Sequence, residues 1–127
     1  MNSQNPKILI VEDENIIALD IRSMLEDLGY MISAIVSSGE ESIQKASKMK
    51  PDLVLMDIKL KGSIDGVSAG EEIYKQFRIP IVYLTAYSDQ ATINRINNGK
   101  NGNPSTVISK PFDEEELQTV IDNTLSN

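Results

Sequence analysis

The chain has 127 residues, 40% of them hydrophobic, which is about the size of one domain and enough to bury a substantial core. It contains no cysteine and no histidine, which excludes disulfides, thiolate catalysis, cysteine-based metal sites and imidazole general-base chemistry. A formal net charge of −7 argues against direct nucleic-acid binding. The absence of a long apolar run or an apolar N-terminal region argues against a membrane segment or signal peptide, so a cytoplasmic protein is expected.

Taken in chain order, short apolar runs alternate with stretches of helical spacing. "KILIV" (7–11) predicts a first strand that ends in two acids, Glu12 and Asp13. Ile17, Ile21, Met24 and Leu28 then recur every three or four residues, and Gly29 is placed to stop that helix. "MISAIV" (31–36) predicts the second strand, and "SGEE" opens the second helix with a capping box of Ser38 and Glu41. The third strand, "DLVLM" (52–56), is apolar on both faces yet runs directly into Asp57, and Ala69, Ile73 and Phe77 mark the helix that follows. "PIVYLT" (80–85) ends in Thr85. A weakly patterned helix near 89–98 comes next, followed by the loop-like "NNGKNGNPS". "STVIS" (105–109) leads into Lys110 and Pro111, and Asp113 with Glu116 forms a capping box for the last helix.

Strands that are apolar throughout and alternate with helices imply a parallel sheet covered on both faces, a three-layer α/β sandwich, here a single domain over 1–127. Such folds bind ligands at the carboxyl ends of the strands. Those ends deliver Glu12 and Asp13, Asp57, Thr85 and Lys110.

Each of these residues alone has a plain reading. Asp13 can cap the next helix, Glu12 can be solvated, Thr85 can bond within a turn, and Lys110 can be a surface lysine. Together they point to chemistry. Clustered carboxylates repel one another and must take up protons or hold a cation. An oxygen-only set suits Mg²⁺, which favours one or two carboxylates, water and a phosphate oxygen. Asp57 can then act as a nucleophile toward phosphorus, with Lys110, Thr85 and the metal sharing the phosphoryl oxygens.

In content, order and approximate spacing, "ILIVEDE", "LVLMDIKL", "LTAYSD" and "SKPF" resemble a response-regulator receiver domain of two-component signalling, over essentially the whole chain. The resemblance implies a flavodoxin-like five-stranded sheet of order 2-1-3-4-5. It implies that Asp57 accepts a phosphoryl group from the phosphohistidine of a sensor histidine kinase or phosphotransfer protein. It implies that Glu12, Asp13, Asp57 and the backbone carbonyl of Lys59 hold Mg²⁺, that Thr85 follows the phosphoryl group and that Lys110 pairs with it. A cis peptide between Lys110 and Pro111 is also implied, as is flanking of the hydrolytic water's path by Lys59 and Tyr87. Such a protein is a signalling phosphoacceptor and not an enzyme in its own right, and it passes its state to a downstream output protein.

Three other readings compete. A haloacid-dehalogenase-type phosphatase has a second Asp two residues past its nucleophile, where this chain has Lys59, and needs room for a cap domain. A flavin or nucleotide binder needs a phosphate-cradling first turn, where "EDEN" would repel phosphate. A degenerate receiver that serves only as a protein-interaction module is opposed by the complete acid, Thr and Lys set. One departure from the family is Val107, at a position the family usually fills with an aromatic. The switch is therefore expected as backbone rearrangement over 86–104, read at the surface of the fourth predicted helix, the fifth strand and the last helix.

Overall fold

The computed structural model describes residues 5–86, 90, 91, 94 and 106–126. The strands are β1 (Lys7–Val11), β2 (Met31–Val36), β3 (Leu53–Asp57), β4 (Ile81–Ala86) and β5 (Thr106–Lys110). The described helices are α1 (Asn15–Asp27), α2 (Gly39–Met49), α3 (Gly66–Phe77) and α4 (Glu114–Ser126). Tyr87, most of the predicted helix near 89–98 and most of the 86–104 segment lie outside the described residues. No described helix is long and apolar enough to cross a membrane.

All strand pairs are parallel and the order is β2-β1-β3-β4-β5. Alternation along the central strands divides the core into two layers. Leu9, Val11, Val54, Met56, Ile81 and Tyr83 face α2 and α3, where they meet Ala46, Ala69 and Ile73. Ile8, Ile10, Leu53, Leu55, Val82 and Leu84 face α1 and α4, where they meet Ile21, Leu25, Leu117 and Ile121. β3 is buried at every position because both of its faces carry a layer and both of its edges are paired.

The helix ends show how local chemistry sets this frame. After α1, Gly29 takes φ +93, and its N–H donates to Glu26 O while that of Tyr30 donates to Leu25 O. This double bond pattern closes the helix and needs a residue free to adopt the left-handed region. The cap before α1 is Glu14, so Asp13 does not perform the capping role open to it from sequence. Asp113 and Glu116 bond each other's backbone N–H reciprocally, as the predicted capping box requires. At α2, Ser38 accepts from the Glu41 N–H as expected, but Glu41 reaches back to the N–H of Ser37, one residue beyond the predicted partner. The Lys110–Pro111 peptide is cis.

A long-range pair fastens the last helix. The buried Tyr30 hydroxyl donates to Asp122 Oδ1 at 2.7 Å, and burial together with that carboxylate pushes the phenol's pKa above its ordinary range. Tyr30→Phe is expected to cost about 1 kcal/mol, because Asp122 is exposed and water replaces the lost partner. Urea unfolding of the two proteins checks this.

Candidate functional site

The parallel register brings the strand ends together. Val11 pairs with Met56, so Glu12, one residue on, stands beside Asp57 at the end of β3. Asp57 pairs with Leu84 of β4, Thr85 with Ser109 of β5, and Ala86 with Lys110. The chain leaves β1, β3, β4 and β5 on the same edge, and that edge carries the cleft lined by Asp13, Asp57, Lys59, Thr85 and Lys110.

Glu12, Asp13 and Asp57 each offer a carboxylate oxygen to a cluster whose atoms all lie within 4.8 Å of one another. Glu12 is 1% exposed and Asp57 6%, so the charges sit where water screens them poorly. The Lys110 ammonium lies 3.2 Å from Glu12 Oε1 and 3.5 Å from Asp57 Oδ2. It does not balance the acids. Burial first, then the hydrogen bond and charge of Asp57, push the Glu12 carboxyl up to about 7, against the smaller opposing pull of Lys110 and the Glu14 N–H. The backbone amide of Lys59 donates to Asp57 Oδ1 at 3.2 Å and orients the carboxylate.

All the candidate residues that are described therefore share this cleft or border it. Glu12 lies under it as a buried wall, Thr85 is 3% exposed at the end of β4, and Lys59 stands in the connection after β3. Glu14 joins the site through its N–H, which donates to Glu12 Oε2 at 3.2 Å. That role belongs to its backbone, so no side-chain pattern in the sequence announces it. The donor set fits a hard divalent cation. It is all oxygen and can carry three negative charges within 4.8 Å of one another, a repulsion that a bound cation would relieve.

The profile of the response regulator receiver domain matches residues 8–122. Among curated relatives, the phyllosphere-induced regulator PhyR of Methylorubrum extorquens is 33% identical over 94% of this chain and 43% of its own length. The transcriptional regulatory protein PdtaR of Mycobacterium tuberculosis is 35% identical over 94% of this chain and 57% of its own length. The chain thus spans about half the length of these relatives. Among solved structures, the receiver domain of a modulated diguanylate cyclase from Desulfovibrio desulfuricans superposes with a TM-score of 0.87 at 30% identity, covering 97% of this chain and 95% of that one. The receiver domain of a sensor histidine kinase from Pseudomonas aeruginosa, solved with a magnesium ion in its active-site cleft, gives 0.82 at 32% identity, covering 98% and 100%. The strand order, the acids at the strand ends and the match over most of the chain agree: this chain belongs to the response regulator receiver domain family.

Proposed function

We propose that this chain is a single phosphoacceptor domain in a cytoplasmic two-component pathway, with Asp57 taking a phosphoryl group from a phosphohistidine on a partner kinase or phosphotransfer protein. The observation that carries this reading is the convergence of three carboxylates and Lys110 from the ends of β1, β3 and β5 on one sheet edge around Asp57. Asp57 supplies the nucleophile. Its carboxylate oxygen forms a bond to phosphorus as the bond from phosphorus to the donor nitrogen breaks. The Lys59 amide holds Asp57 in register for that attack. Lys110 is already within ion-pair distance of Asp57, where its ammonium can meet a phosphoryl oxygen, and the Thr85 hydroxyl stands at the end of the neighbouring strand to meet another. Glu12, Asp13, Asp57 and the Lys59 carbonyl would hold Mg²⁺, which when bound neutralises charge on the transferring group. The magnesium ion in the cleft of the Pseudomonas aeruginosa receiver supports that assignment.

The degenerate-receiver alternative is separated by a direct reaction. Incubation with acetyl phosphate and Mg²⁺ is expected to raise the intact mass by one phosphoryl group, and chelation of the metal to prevent it. An unmodified mass under both conditions would favour an interaction module without phosphoryl chemistry. On this reading, the state of Asp57 is passed on through the face of β5, α4 and the predicted helix near 89–98, where Val107 is a small, stiff side chain.

The donor needs a surface beside the cleft. On α1, Ile16 is 84% exposed and Leu19 57% exposed, an unusual display of large apolar side chains. A neighbouring face of the same helix, with Ile17 and Met24, walls a groove with Pro111 and Phe112 after β5. Replacing both Ile16 and Leu19 with Ser is expected to slow phosphoryl transfer from a phosphohistidine protein about tenfold, while the rate with acetyl phosphate stays within about twofold of wild type. Parallel time courses with the two donors check it.

A further inference from the structure

The connection between β3 and α3, residues 58–65, carries Lys59, so its position bears on the cleft. Its first residue is tied to the sheet, and the start of α3 is tied back to that residue. The Ile58 N–H donates to Leu84 O at 3.1 Å, and the Gly66 N–H returns to Ile58 O at 3.0 Å. The close approach at Gly66 is obligatory, since a Cβ there would stand 2.1 Å from Asp57 O. Between these ties the loop meets the start of α2.

That second contact is built by Glu40. Its Oε2 accepts the Ser63 N–H at 3.0 Å, across 23 residues of sequence. Gly62 takes φ +112 so that the backbone can pass against the carboxylate, and a Cβ at Gly62 would lie 2.9 Å from Glu40 Oε1. An isolated parallel bridge joins Ser38 to Lys61 beside it. Gly39 presses on the same loop, where a Cβ would meet Ile64 Cγ1 at 2.8 Å. The backbone amides around Glu40, its own first and that of Ser63 next, hold its carboxyl below the ordinary range. The neighbouring glutamate has another task, because Glu41 turns back to Ser37 and caps its own helix. Two adjacent acids at one helix start thus serve two different elements.

We infer that Glu40 is a positioning residue for the metal and phosphoryl site: by clamping Gly62 and Ser63 onto α2 it holds the Lys59 segment against the cleft and couples the start of α2 to occupancy of Asp57. The inference rests on the phosphoacceptor reading above. Lys59 lies between the sheet tie at Ile58 and the Glu40 clamp, so releasing the clamp leaves only the Ser38–Lys61 bridge to hold that side of the segment and loosens the support of the Lys59 carbonyl. A cation that needs that carbonyl then has to order the segment as it binds.

Calorimetric titration of the full chain with Mg²⁺, combined with amide hydrogen exchange, tests this. Glu40→Ala is expected to weaken Mg²⁺ binding about fivefold or more and to raise exchange over 59–64 while protection in β1 and β3 stays unchanged. Glu40→Gln keeps an acceptor oxygen and should recover most of the affinity. Glu41→Ala, which removes the cap at the same helix start, should bind Mg²⁺ as wild type does. Equal affinity in Glu40→Ala and wild type would overturn the inference, and so would an equal loss in Glu41→Ala, because simple fraying of α2 would then explain the effect. Loss of β1 and β3 protection in Glu40→Ala would also overturn it, by making Glu40 a residue of general stability. Failure of the wild type itself to bind Mg²⁺ would instead count against the phosphoacceptor reading.

Discussion

Asp57→Asn is expected to form no acylphosphate under conditions that label the wild type to completion. The reason lies in where the strand ends. Asp57 is 6% exposed on the central strand, with Lys110 3.5 Å from its Oδ2 and the Lys59 amide on its Oδ1. The amide of Asn keeps the shape and one acceptor oxygen, so the fold and the loop should survive, but the anionic nucleophile is gone. Removing one of the neighbouring buried carboxylates beside Glu12 should also leave Asp57→Asn at least as stable as wild type without metal. Lys110→Ala separates the electrostatic contribution from the nucleophile. It retains Asp57 and should still label, about 100-fold more slowly, which is the order of loss seen when one fixed charge or donor is removed from a transferring group. Intact-mass time courses distinguish the two behaviours.

Glu12 is raised to about 7 from an ordinary 4.5 in the folded protein, so between those values the folded state binds the extra proton. Its contribution to stability is fully present below about 4.5 and is lost as the pH rises through about 7. Metal-free wild type should therefore lose a few degrees of melting temperature between pH 5 and 8 relative to Glu12→Gln, which has no proton to release. Mg²⁺ should have the opposite dependence, since it competes with that proton and binds best above pH 7. At a tenfold excess over Kd, mass action contributes about 1.4 kcal/mol, or about 5 °C for a domain of this size. Asp13→Ala removes a carboxylate proposed to hold the ion and should show almost none of this rise. An equal response to Mg²⁺ in Asp13→Ala and wild type would place the ion elsewhere.

Much of this architecture could be read from the residues because its signals are local or periodic. β3 announces itself by apolar side chains on both faces, and its terminal acid is visible as the point where that pattern breaks. The capping box of Asp113 and Glu116 is a four-residue signal that the structure reproduces bond for bond. The spacing of Ile17, Ile21, Met24 and Leu28 gives the inward face of α1, where Ile21 is buried and the other three lie against the same layer. Other features depend on partners distant in the chain and leave no local mark. Glu40 reads as one more acid of a helix start until the fold brings Ser63 to it. Asp65, which caps α3 through the Ser68 N–H, sits in a polar stretch with no strong apolar run to mark the helix start. α2 and α3 end on Lys50 and Arg78 at φ 49 and φ 58, conformations that glycine usually signals. Each of those cations also lies over a nearby ring, Lys50 over Phe77 and Arg78 over Tyr74, and no sequence rule for helix ends contains that pairing.

The competing assignments of Asp13 show the same limit from the other side. As a lone acid before a helix, its local chemistry fits a cap as well as a ligand. In the structure the cap falls on Glu14, and the Asp13 carboxylate lies beside Glu12 and Asp57. The site is a property of the parallel register, which places residues 12, 57, 85 and 110 on one edge whatever each could do alone.

The central claim is that Asp57 itself carries the phosphoryl group, and borohydride trapping reads that position directly. Hydride reduces an aspartyl phosphate to homoserine, releasing phosphate, so the labelled wild-type protein can be treated, digested and sequenced by mass spectrometry. Homoserine is expected at position 57, with Glu12, Asp13 and every other acid unchanged. Reduction at Glu12 or Asp13, or a labelled protein with Asp57 intact, would rule out Asp57 as the phosphoryl carrier.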